Sequence, residues 1–145
     1  MALPRFLFVS GNSKNGVVVP AWPDRYSSAV GDVAPDGSWV AWRLSGPNNR
    51  ELGRSAVVFA DYAHCLHGAQ ALVAVLGDLH PLITLNQVTG LWTWRLELEG
   101  LAVAVSGRGH QRRRECEYNL DRFLTTAAVA VPATYRGARK PRGAA

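Results

Sequence analysis

His64-Cys65-Leu66-His67 brings metal-ligating residue types close together in this 145-residue chain. On a helix His64 and His67, three apart, share a face. Cys65 lies roughly 100° around from them. One ion cannot easily use all three, and structural zinc normally takes four ligands. The spacing therefore predicts two solvated histidines and no metal site. Cys65 and Cys116 each fall early in a predicted helix, where the dipole can lower a thiol pKa. Both also fall on the apolar stripe, which favours packing over nucleophilic catalysis. Neither belongs to a CxxC or zinc-finger spacing. A bridge between them would need Cα atoms within about 7 Å, and a reducing setting disfavours it.

The arginines are the other chemical candidates. Arg112-Arg113-Arg114 would open a helix, where cations oppose the positive end of the dipole. With Arg108 and His110 nearby, that helix start can hold an anion through guanidinium and backbone N–H groups. Arg136, Arg139, Lys140 and Arg142 extend the basic character into the tail. The competing explanation is a solvated arginine face in an arginine-rich composition. Arg43 and Arg95 form a second set, recurring in Trp42-Arg43-Leu44 and Trp94-Arg95-Leu96. Both point away from the tryptophan face, as an outer-face polar pair. If that face is covered, each needs an acid, and Glu51 and Glu97 are the candidates.

Composition bounds the classes. Apolar residues make up 48% and charged residues 19%, enough for one folded domain. No apolar run approaches the roughly 18 residues of a membrane span, and residues 1–9 do not read as a secretory signal. The expectation is a cytoplasmic protein that does not engage membranes. Residues 1–100 hold seven basic and eight acidic side chains, and residues 101–145 hold nine and three. The formal charge of +5 is thus the sum of −1 and +6, concentrated towards the C-terminus. No phosphate loop, nucleophile elbow or dinucleotide fingerprint is present. No cofactor is implied.

Two stretches share a pattern that must position these residues. Beyond Trp-Arg-Leu, Ser55 matches Ser106 and Cys65 matches Cys116 at a constant offset of 51. Ala69, Leu72 and Val73 likewise match Leu120, Phe123 and Leu124. The offset is 52 at Trp-Arg-Leu, and an extra residue in the loop 46–50 accounts for the change. Leu91–Leu98 alternates in the manner of a half-buried strand, and Val40, Trp42 and Leu44 share one face. Strands are expected at 83–87 and 101–106, and helices at 61–79 and 111–128. Asp61 is a good N-cap, Pro47-Asn48-Asn49 a turn, and Gly77 and Pro81 mark a helix end. For a first strand, Phe6–Ser10 and Val17–Val19 compete. Residues 20–37 read as an irregular insertion, and Trp22 and Trp39 as candidates for exposure.

The fold expected is α+β: two pseudo-symmetric βββα repeats. Antiparallel sheet carries one helix per repeat on its Trp/Leu face. The divisions are 1–37 (N-terminal strands and insertion), 38–82 (repeat 1), 83–131 (repeat 2) and 132–145 (a disordered basic tail). The shared Trp-Arg-Leu, turn, small-residue strand ending in Ser and following helix resemble the YegP-like domain of unknown function, a bacterial module often found in tandem. That resemblance implies paired βββα units. It implies no activity.

The functional expectation is a non-enzymatic binding module acting on a protein partner of unknown identity. The alternative is sequence-tolerant binding of nucleic acid or another polyanion through Arg108, Arg112–Arg114 and the tail cations.

Overall fold

Alternating apolar residues build the strands, and spacings of three and four build the helices. The structure, a computed structural model, describes residues 3–12 and 33–132. Strands β1 (Arg5–Asn12), β2 (Ser38–Ser45) and β3 (Glu51–Ser55) precede helix α1 (Tyr62–Ala74). A 3-10 turn at Leu76–Asp78 leads into β4 (His80–Leu85), β5 (Trp92–Leu98), β6 (Leu101–Val105), helix α2 (Arg113–Ala127) and the short β7 (Val131–Pro132). The sheet order is β4-β5-β6-β3-β2-β1-β7. The first six strands pair antiparallel, and β7 runs parallel to β1. The protein is therefore α+β, one continuous sheet with two helices. The seam is β3 against β6, where Arg54 faces Val105 and Ser55 faces Ala104.

Both helices bury their apolar stripes in one cluster on one sheet face. Cys65, Ala69 and Leu72 of α1 join Cys116, Leu120, Phe123 and Ala127 of α2 over Trp42, Leu44, Trp94 and Leu96. Phe123 ties the two tryptophans together. Its ring lies 4.9 Å from Trp94 and stacks 6.2 Å from Trp42. Gly53 makes this possible, because a Cβ there would collide with the Phe123 and Trp94 rings. Ser55 and Ser106 are buried at the strand ends, and their hydroxyls accept the backbone N–H of Trp42 and Trp94, each at 3.3 Å.

Several local expectations need correcting. α1 stops at Ala74, because Val75 turns its N–H to Leu72 and the chain tightens into the 3-10 turn. The next strand then begins at His80, not Ile83, with His80 already opposite Glu97. It ends at Leu85 because Asn86 Oδ1 accepts the N–H groups of Val88 and Thr89 in a turn. Trp39 is 8% exposed, not open to solvent. It lies across Gly11 and joins Ala41 and Val58 in a second cluster on the opposite sheet face. The first strand contains Phe6–Ser10; Val17–Val19, Trp22 and most of the insertion lie outside the described residues. So do Arg136, Arg139, Lys140 and Arg142. Among the described residues no helix is long and apolar enough to cross a membrane.

Candidate anion-binding groove

The strand pairings decide which arginines are committed. Arg43, Arg54, Val105 and Arg95 follow one another across neighbouring strands. Glu51 accepts both Nε and Nη2 of Arg54, at 2.6 and 2.9 Å, and pairs with Arg43 at 3.5 Å. Glu97 pairs with Arg95 at 2.7 Å. Arg43 and Arg95 thus find the acids the sequence nominated, and they brace the outer sheet face. Gly107 keeps Glu51 in place, since any side chain there would occupy the carboxylate's position.

α1 and α2 begin differently. Asp61 caps α1, accepting the His64 N–H at 2.8 Å and the His64 ring at 2.7 Å. These contacts, the backbone one first, hold the Asp61 carboxyl below the usual range. His64 is therefore part of a cap, and His67 is exposed. Among the described residues no group of three His, Cys, Asp or Glu could hold a metal. At α2 the N-cap position is Arg112, extended at φ −126° and ψ 143°, with no side-chain cap. The N–H groups of the first turn of α2 are thus left without that acceptor.

Close to this helix start runs a groove of about 1000 Å³. One wall is the β2–β3 hairpin, with Asn48, Arg50, Glu51 and Leu52. The other is the loop after β6 and the first half of α2, with Arg108, His110, Arg114, Tyr118 and Arg122. Among the described residues, Arg50, Arg108, Arg114 and Arg122 are in no ion pair. Glu115 also lines the groove and is the carboxylate there not already engaged by arginine.

His110 is the buried polar residue of this wall, 7% exposed. Its backbone pairs with Trp92 in both directions. Its ring Nε2 is buried with no hydrogen-bond partner. Burial, then the Arg108 charge, lower its pKa below the ordinary 6.5, while Asn119 and Glu115 act the other way. Asn119 is fixed from behind, because its Oδ1 accepts the Trp94 indole N–H at 2.5 Å. Tyr118 is 63% exposed beside it, and its hydroxyl accepts from Arg122 at 3.4 Å.

The sequence candidates divide accordingly. Arg108 and Arg114 line the groove. Arg112 and Arg113 do not; Arg113 pairs with Glu117 at 3.3 Å and lies over the Trp92 ring at 5.4 Å. His110, expected beside this helix start, lines the groove as well. Arg50 and Arg122 escaped sequence reasoning, as did the burial of the His110 ring. Arg50 sits on a hairpin 64 residues from Arg114, and no local spacing joins them. The cysteines lie in the core, where burial pushes Cys65 up to about 12 and Cys116 to about 11. Both are protonated at neutral pH, unsuited to nucleophilic attack. Comparison with protein-family models, curated proteins and solved structures found no match.

Proposed function

We propose that this chain is a non-enzymatic binding module that engages a protein partner through the basic groove. The carrying observation is that four arginines outside any described ion pair converge on one groove. Most other described arginines are engaged: Arg43 and Arg54 by Glu51, Arg95 by Glu97, Arg113 by Glu117, and Arg5 by the Asn49 amide oxygen, while exposed Arg112 at the α2 cap position is in neither group. A polynucleotide needs a longer track of uncommitted charge, whereas a short acidic segment of a protein fits a local one.

We read the scaffold as two βββα repeats of the YegP-like kind. The support is the shared spacing together with the sheet order. From the β3–β6 seam it runs outward through β2 to β1 on one side and β5 to β4 on the other. The bridges Val40–Phe59 and Trp92–His110 recur at the same offsets.

The test measures binding of the full chain to an Asp/Glu-rich peptide and to DNA and RNA of matched charge, at two salt concentrations. The peptide binds more tightly, and replacing Arg50, Arg108, Arg114 and Arg122 by Gln removes that binding. Tighter nucleic-acid binding with a steep salt slope would instead make the protein a polyanion binder.

A further inference from the structure

We infer that the groove is a phosphate-monoester site, with the phosphate held by Arg108, Arg114 and the His110 ring at the start of α2. The inference rests on the groove being the binding surface and names the group recognised there.

A carboxylate in this molecule is satisfied by one or two guanidinium groups. Glu97 has Arg95, and Glu51 has Arg54 and Arg43. Four guanidiniums outside any described ion pair around one space exceed that need, although Arg122 also donates to the Tyr118 hydroxyl. A phosphate monoester carries close to two charges at neutral pH and presents three terminal oxygens in different directions. The groove offers donors from separate elements: Arg50 on the hairpin, Arg108 on the loop, Arg114 and Arg122 on α2. Guanidinium suits phosphate through paired, planar N–H groups.

Two further features converge there. α2 is 15 residues long and has no side-chain cap, so its first-turn N–H groups and dipole favour an anion. Independently, the buried His110 Nε2 lacks a partner in the groove wall. An unmatched buried polar atom costs stability. An anion in the groove supplies the partner once Nε2, closed to solvent in this structure, is uncovered, whether through the Nε2 proton of the neutral ring or through the proton gained on forming imidazolium. Glu115 works against any anion here, and the four arginines outweigh it. The exposed Tyr118 ring gives an organic substituent on the phosphate a surface to lie against.

The experiment titrates the full chain at low salt with inorganic phosphate, O-phosphoserine, O-phosphotyrosine and adenosine 5′-monophosphate. An acidic peptide lacking phosphate is the comparison, and calorimetry and NMR of the His110 ring give the readouts. The phosphate compounds bind and shift the His110 signals. Arg108→Gln and Arg114→Gln each weaken binding about tenfold, the loss of one charged hydrogen bond. Arg113→Gln removes the same charge one residue away and changes affinity less than about twofold, because an exposed charge outside the site contributes little. His110→Phe also weakens binding; if it does not fold, the arginine variants carry the test. Equal binding of inorganic phosphate and the esters assigns the site to phosphate alone, and tighter ester binding assigns it to an ester ligand. Equal losses from Arg113→Gln and Arg114→Gln would overturn the inference. Peptide binding with every phosphate compound silent would overturn it while leaving the protein-partner reading intact. Silence of all ligands would remove both.

Discussion

The two helix starts make the informative comparison. At α1, Phe59 lies over Gly68, where a Cβ would strike its ring, and Asp61 closes the N-terminus. The residues 51 positions further along the chain are His110, Asn119 and Arg112. One start is sealed by an aromatic ring and a carboxylate cap. The other keeps a buried imidazole, an amide tied to Trp94 and an uncapped helix end beside a groove. Behind both, Trp42 and Trp94 are fully buried against Phe123. Over one shared core, then, one helix start is closed by local contacts while the other leaves its end open beside a basic groove.

The largest expected effect tests the shared core. Trp94→Ala destabilises the protein by about 3–5 kcal/mol, the range for large aromatics in cores, and Trp42→Ala behaves similarly in chemical denaturation. A small effect for either would show that the two halves do not lean equally on Phe123. Next is the sealed start. Gly68→Ala forces the Phe59 ring to move and costs about 1–3 kcal/mol as overpacking. A neutral result would mean that the Phe59 ring can swing away.

Cap exchange sharpens the comparison further. Arg112 already has the extended backbone of a cap residue, so Arg112→Asp stabilises α2 by about 1 kcal/mol. Asp61→Ala lowers the melting temperature, because it removes the acceptor of the His64 N–H. No gain from Arg112→Asp would indicate that the first turn of α2 already has other partners.

The smallest effect is a pH dependence. The native His110 pKa lies below 6.5, chiefly through burial. As pH falls through that value the unfolded chain takes up the proton first, so native stability is lost on acidification and restored at higher pH. His110→Phe, which copies Phe59, flattens stability between about pH 7 and 5 relative to the parent. Parallel pH profiles for the two would show that His110 is no more protected than an exposed histidine.

Local signals in the chain were enough for much of the framework. The alternation of 91–98, the helical spacing after each Ser, the Asp61 cap, the turn at Asn48-Asn49 and the two inward cysteines were all legible. So were the acids of Arg43 and Arg95: Glu51 lies across the β2–β3 hairpin from Arg43, and Glu97 is two residues beyond Arg95 on the same strand. Each of these depends on residues a few positions apart, where backbone geometry translates spacing directly into a face. Tertiary structure alone decided the rest. The β3–β6 seam, the burial of Trp39 over Gly11, and the meeting of Arg50 with Arg108, Arg114 and Arg122 join distant segments. The sequence places His110 beside the start of α2, but its burial follows only from the pairing with Trp92 and the packing of Asn119. Periodicity carries no record of which distant surface an element will face, so the groove exists only once the whole sheet has assembled.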